Sequence, residues 1–294
     1  MNLSKSCDAH YRRLDWSLTF ECNYACPYCF IKESYKQQGQ ETILAHSHKE
    51  LSERISCLFV NRVDYIEMSG GEPLILKSMP GIVEKLAQSF LIGLNTNMSL
   101  TSLTTLLKIS PRLLHRVNCS YHLTEIGSLS ESSFKDSLFD LVERSYPVRV
   151  VCVAYPPVFE QMLEVFRYFY SSGVPAEFRP YRGIYNGSIY PYEYCQKYKN
   201  VLSEHNRDRW CLEMIASSSP VSYRGVKCNA GKYSYYLSTK GELYRCVTDA
   251  NMKGHQQLGR IISMDALPNE ARICEHKHCL CPYHGSLYAK GGGV

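Results

Sequence analysis

Apolar and polar positions follow two alternating periods over the first 180 residues. Short β-branched and aromatic runs predict strands at 14–20 (LDWSLTF), 63–68 (VDYIEM), 91–95 (LIGLN), 115–121 (HRVNCSY), 147–154 (PVRVVCVA) and 175–179 (PAEFR). Helical spacing between them predicts helices near 47–60, 78–89, 101–108, 131–145 and 158–171. The second of these opens with Ser78 in a capping role and Pro80 in its first turn. Repeated strand–helix units imply parallel strands covered by helices, and six strands are too few for a closed eight-stranded barrel. The expected fold class is therefore α/β, an open partial (β/α)6 barrel.

The pattern changes after residue 180. Residues 181–192 (YRGIYNGSIYPY) hold two glycines, a proline and four tyrosines, which is connector chemistry. A helix predicted over 191–205 then leads into a region with few long apolar helices. That region has a hairpin-like run at 233–247, turning at Lys240–Gly241, and then a group of cysteines. This divides the chain into a core at 1–190, a linking helix at 191–206 and a small hairpin/helix domain at 207–294. A unit so small needs a staple, and a bound metal cluster would supply one.

Composition narrows the classes. The 294 residues are 45% hydrophobic and 21% charged, as in an ordinary globular protein. The formal charge of +5 suits an anionic small molecule or an acidic peptide, and a solvated surface equally well. No basic run supports nucleic-acid binding. No run of 18 apolar residues and no apolar N-terminal segment is present, so no membrane span and a cytoplasmic location are expected.

Fourteen cysteines are many, and without a secretion signal they point to metal or catalytic use rather than disulfides. Cys22, Cys26 and Cys29 fall within eight residues, directly after the first predicted strand. Thiolates suit zinc or an iron–sulfur cluster. A closed zinc site needs a fourth ligand, and none lies nearby in sequence. Three thiolates on a [4Fe–4S] cluster instead leave one iron open.

The spacing C-x3-C-x2-C after the first strand, with aromatic Tyr28 before the third cysteine, resembles the signature of the radical S-adenosylmethionine (SAM) superfamily. A second element, Gly70-Gly71-Glu72-Pro73 after the second predicted strand, is similar to the family's GGEP motif. The resemblance implies that Cys22, Cys26 and Cys29 hold a [4Fe–4S] cluster whose open iron binds SAM. It implies that Tyr28 lies near the adenine and that the Gly70–Pro73 segment meets the SAM ammonium. One-electron cleavage of SAM would then yield a 5′-deoxyadenosyl radical that abstracts hydrogen from a substrate. A flavodoxin- or ferredoxin-type protein would be the reductant. Asn95, Asn97, Ser120, His122 and Arg179 stand at predicted strand ends, where open parallel sheets bind ligands. Each is a candidate SAM or substrate contact, with a plain strand cap as the alternative.

Cys228, Gly241 and Cys246, followed by Cys274, Cys279 and Cys281, resemble the hairpin of SPASM and twitch domains. That likeness implies a second, auxiliary [4Fe–4S] cluster held by four of these five cysteines, with Cys228, Cys246, Cys279 and Cys281 the first choice and Cys274 a substitute or neighbour. His276, His278 and His284 stand among them and keep a Cys/His zinc site open. An auxiliary cluster would accept an electron in a net oxidation or hold the substrate. A redox-neutral outcome would need a hydrogen-atom donor, for which Cys119 and Cys152 are candidates, with buried packing the favoured reading of both. Most of the scattered cysteines (Cys7, Cys57, Cys119, Cys152, Cys195, Cys211) are expected to be packing residues.

Two substrate classes fit. One is a peptide, cross-linked, epimerised or oxidised as in ribosomal natural-product maturation; the other is a small metabolite such as a sugar or aminocyclitol. About 13 residues precede the first predicted strand, which weighs against a peptide but leaves a separate recognition protein open. A non-catalytic iron–sulfur protein is the third reading, and the intact motifs weigh against it.

Overall fold

A computed structural model describes residues 12–29, 31, 47–125, 131–205, 215–220, 222–251, 257–277 and 279. Six strands run parallel and adjacent in chain order: β1 (Arg13–Thr19), β2 (Tyr65–Gly70), β3 (Leu91–Thr96), β4 (Arg116–Tyr121), β5 (Val148–Ala154) and β6 (Ala176–Pro180). Helices α1 (His48–Phe59), α2 (Met79–Leu86), α3 (Leu100–Leu106), α4 (Glu131–Glu143) and α5 (Phe159–Ser171) lie in the crossovers. The sheet is open: β6 forms one edge and never meets β1. Sequence periodicity anticipates this α/β class. Ser78 precedes α2 but makes no capping bond with its side chain, so Pro80 alone marks that start.

Strand alternation gives the sheet two unlike faces. Leu14, Trp16, Leu18, Ile66, Met68, Ile92, Leu94, Val117, Val150 and Phe178 pack under the helices and form the core. The opposite face is polar and cross-linked from strand to strand. Arg13 pairs with Asp15 at 2.5 Å and faces Glu67 at 3.6 Å. Glu67 accepts from Tyr65, from Asn95 at 2.5 Å and from Asn118 at 3.0 Å. Arg149 donates to Asn118 at 2.9 Å and pairs with Glu177 at 2.5 Å, and Glu177 also holds Arg179. Buried charge is tolerable only when paired and hydrogen-bonded, and this belt does both from β1 to β6.

Residues 181–192 are not a plain connector. Gly183–Tyr185 (β7) and Ser188–Tyr190 (β8) form a two-stranded hairpin around Asn186 (φ +47°) and Gly187 (φ +80°). Asn-Gly between two short β-rich runs is the standard signal for this turn. Tyr194 anchors the segment: its hydroxyl donates to Ala154 O at 2.5 Å and accepts from Tyr181 N at 2.9 Å. α6 (Gln196–Glu204) follows.

The C-terminal region extends the same sheet. Ser234–Leu237 (β10, preceded by the short β9, Lys227–Cys228) runs parallel to β1 on its free side. Antiparallel β11 (Glu242–Tyr244) and β12 (Gly259–Arg260) continue outward, the β10–β11 turn falling at Lys240–Gly241 as expected. α7 (Val247–Asn251) follows β11, and β13 (Arg272–Ile273) pairs with β9.

Tyr194→Phe leaves the Tyr181 amide and the Ala154 carbonyl without their buried partner. A loss of about 1–3 kcal/mol in urea unfolding is expected. An unchanged midpoint would show that the hydroxyl anchors nothing.

Candidate functional site

The loop carrying Cys22, Cys26 and Cys29 leaves β1 at its C-terminal end. It has no regular secondary structure, so its shape depends on what docks against it. Three strand exits do so. The β2 exit is the tightest: Gly71 N donates to Thr19 O at 2.7 Å and Glu72 N to Glu21 O at 2.8 Å. A Cβ on Gly71 would stand 2.0 Å from Glu21 O, and one on Gly70 (φ +137°) would stand 2.3 Å from Thr19 O. Both glycines are therefore required by contact with the cysteine loop itself.

Glu72 is buried and its carboxylate points inward. It accepts from Leu74 N at 3.0 Å and from Asn97 N at 2.6 Å. Burial pushes its carboxyl up to about 7, against the pull of these amides. Pro73 is buried as the first residue of a 3-10 turn. Asn97, at the β3 exit, donates to Asn23 Oδ1 at 2.8 Å and approaches Cys22 Sγ at 3.9 Å. Glu72 thus acts on the loop through Asn97.

The β4 exit makes the third contact. His122 Nδ1 lies 3.0 Å from the Tyr28 hydroxyl, with the rings stacked at 5.8 Å. Burial pushes the His122 imidazole down to about 4 and the Tyr28 phenol up, so a neutral ring and a neutral phenol share this hydrogen bond. Glu125 accepts from Ala25 N at 3.2 Å. Tyr155 packs on Tyr28 at 5.0 Å and leads to Tyr181 and Tyr185 of the hairpin segment.

The three thiols share this one loop and meet its backbone amides and charges. Tyr24 N donates to Cys22 Sγ at 3.4 Å, and Cys29 N to Cys26 O at 3.0 Å. Burial, then the charges of Glu125, Cys29 and Cys22, push the Cys26 thiol up to about 12. A thiol in that state gives up its proton to a bound metal. Ligands of one ion at 2.3 Å stand at most about 4.6 Å apart. Among the described residues no three thiols lie within 4.8 Å of one another, so as placed they do not close around a single ion. Three soft donors on an open loop fit a [4Fe–4S] cluster with one iron free.

Other expected site residues lie on the strands themselves. Asn95 and Arg179 are engaged in the polar belt, and Ser120 stands on that face one pleat beyond Asn118. Cys119 and Cys152 alternate onto the opposite face and are fully buried in the helix-covered core. This burial agrees with the packing reading of both, and Cys152 lies close enough to Tyr28 to act on its phenol. Cys57 and Cys195 are exposed rather than packed.

In the C-terminal region the structure gathers Cys228, Cys246, Cys274 and Cys279, all half-buried. Burial raises the Cys228 thiol, with the charge of Cys274 adding to it; burial, Asp249 and Cys279 do the same for Cys246. Ala230 N donates to Cys228 Sγ at 3.5 Å and Asp249 N to Cys246 Sγ at 3.4 Å. Cys281, His278 and His284 lie outside the described residues. His276 is present, bonded to Asp249 at 2.6 Å, and with Cys246 the pair brings three donor atoms within 4.8 Å.

A family model described as the radical SAM superfamily matches residues 16–122, from β1 to His122. These residues form a radical SAM domain. Among curated relatives, the GTP 3′,8-cyclase of Campylobacter fetus subsp. fetus is 35% identical over 79 residues, 26% of this chain and 24% of the cyclase. Molybdenum cofactor biosynthesis protein 1 of Bos taurus is 27% identical over 275 residues, 85% of this chain and 42% of that protein. The match thus spans about a quarter of the cyclase and under half of the bovine protein. The fold is shared with anSMEcpe with bound AdoMet (TM-score 0.61, 18% identity, covering 86% of this chain and 78% of that one). It is shared likewise with Streptococcus suis SuiB (TM-score 0.61, 12% identity, 86% and 64%). Radical SAM proteins use a [4Fe–4S] cluster and SAM, which the thiol loop fits. No described helix is long and apolar enough to cross a membrane.

Gly71→Ala is expected to displace the cysteine loop and lower SAM cleavage about 100-fold, since an ångström of misplacement has that effect. Wild-type cleavage would show that the close approach at Glu21 is dispensable. Glu72 gives a pH test. Its folded-state value lies above the ordinary 4.5, so its contribution to stability falls as pH rises from about 4.5 to 7 and is level above that. Relative to Glu72→Gln, the metal-free wild type should lose on the order of 3 kcal/mol over that window in urea titrations. Parallel pH profiles would contradict the burial of an ionising carboxyl.

Proposed function

We propose that this radical SAM enzyme acts on a peptide, held between the cysteine loop and the tyrosine-lined mouth of the sheet. The observation that carries the reading is the convergence of three strand exits on the Cys22–Cys29 loop, beside half-buried Tyr155, Tyr181 and Tyr185. When bound, the [4Fe–4S] cluster supplies the single electron that turns SAM into a hydrogen-abstracting reagent. Cys22, Cys26 and Cys29 hold the cluster; Asn97 and Glu125 fix the loop; Tyr28, oriented by His122, offers a flat face for the adenine. Tyrosines combine apolar area with a polar tip, which suits peptide side chains and backbone alike. A peptide is also bound in a structure of this fold, anSMEcpe with AdoMet and the Kp18Cys peptide (TM-score 0.60). A flavodoxin- or ferredoxin-type reductant is proposed, and a separate protein to recognise the peptide.

Cys228, Cys246, Cys274 and Cys279 are proposed to hold an auxiliary [4Fe–4S] cluster, with Cys281 as substitute. Such a cluster supports cross-linking or oxidation by taking up the second electron.

A nucleotide is the second reading, favoured by the identity to GTP cyclases and to the bovine protein over 275 residues. Oxidation of a sugar or aminocyclitol ranks below both.

Replacing Cys22, Cys26 and Cys29 with alanine is expected to abolish 5′-deoxyadenosine formation from SAM under reducing conditions; undiminished formation would sink the main reading. The reconstituted wild type should hold about eight irons, two clusters of four. A count near four, unchanged in a Cys228/Cys246 variant, would remove the auxiliary cluster. GTP consumed at the rate of SAM cleavage would replace the peptide reading with the nucleotide one.

A further inference from the structure

The C-terminal cysteines sit on two strand-bearing segments, joined through the turn at 229–234. Cys274 is tied to the stretch before Cys228: its amide donates to Val226 O at 2.8 Å, Gly225 N donates to Cys274 O at 2.8 Å, and Tyr223 N to Lys277 O at 3.0 Å. The pairing of β9 with β13 sets Cys228 opposite Arg272, so Cys228 and the 272–277 segment form one hydrogen-bonded unit. Cys246 belongs to the other segment, at the join between β11 of the main sheet and α7. A four-thiolate cluster needs both segments in fixed register.

A buried hydrogen bond crosses between them. His276 Nε2 lies 2.6 Å from Asp249 Oδ1, with side chains only 6% and 12% exposed. His276 is two residues past Cys274 and three before Cys279. Asp249 is three past Cys246, and its amide is the donor to Cys246 Sγ. Two weaker ties cross nearby, Thr248 Oγ1 to Cys279 Sγ at 3.6 Å and Arg245 Nε to Ala230 O at 3.1 Å.

We propose that the Asp249–His276 pair positions the two ligand arms of the auxiliary cluster, without itself binding iron. This rests on the auxiliary-cluster reading above. A [4Fe–4S] cluster takes one protein donor per iron. Cys246 Sγ is the soft donor in this corner, and Asp249 already engages the His276 nitrogen that lies beside it. The bond instead sets the distance from Cys246 to Cys274 and Cys279. Residues that orient metal ligands are typically worth 10–100-fold in metal affinity.

The test uses the full chain with Cys22, Cys26 and Cys29 replaced by alanine, so that every iron reports the C-terminal site. After anaerobic reconstitution, iron release to a chelator and the EPR spectrum of the reduced cluster are followed. His276→Ala and Asp249→Ala are expected to release iron about 10–100-fold faster, with an altered spectrum. His276→Gln and Asp249→Asn, which can keep a donor–acceptor pair, should restore slow release. Parental release in His276→Ala overturns the positioning role. So does nitrogen hyperfine coupling from His276, which would make it a ligand. A parent chain that holds no iron overturns the auxiliary-cluster reading itself, a different result from iron held with unaltered release.

Discussion

Everything at the candidate site depends on a backbone contact, the docking of the β2 exit against the loop that follows β1. Two backbone hydrogen bonds, Gly71 N to Thr19 O and Glu72 N to Glu21 O, bring main chain against main chain where no Cβ fits. A loop without regular structure carries no geometry of its own, and thiolate ligands must be placed before a metal arrives. The two glycines let a rigid strand end template a loop that could not shape itself. Asn97 and the His122–Glu125 segment then add side-chain contacts from the next two strands.

Behind the site, the polar belt explains why one face of the sheet can be hydrophilic without being weak. Asp15, Glu67 and Glu177 alternate with Arg13, Arg149 and Arg179, joined by Asn95 and Asn118. Each charge meets an opposite charge or an amide, so the strands are held from this side as well as by the apolar core. The polar face therefore remains available at its C-terminal end, where the thiols stand.

Much of this was legible in the sequence. All six parallel strands, the five crossover helices and the Lys240–Gly241 turn follow from periodicity and turn residues, because each is a local consequence of alternation. The three cysteines and Gly70–Pro73 were legible as chemistry. Their physical roles were only half so: the glycines serve the loop's backbone, and Glu72 works through Asn97. The 181–190 hairpin had its signal in Asn186-Gly187, which the density of tyrosines obscured. The pairing of β10 with β1 had no local signal, since nothing in either strand names a partner more than 200 residues away. Cys119 and Cys152 read as buried packing ahead of any chemical role, and the register of β4 and β5 places them under the helices. Glu67, Asn118, Arg149 and Glu177 read as unremarkable strand polars, and only their juxtaposition makes them a network.

The central claim is that Cys22, Cys26 and Cys29 hold a cluster with one iron open to SAM. EPR of the reduced protein, with the C-terminal cysteines replaced so that a single cluster remains, tests it most directly. Adding SAM should change the spectrum, because its amino and carboxylate groups then ligate that iron. A spectrum indifferent to SAM would mean that the loop binds a closed, structural centre, and the assignment would fail.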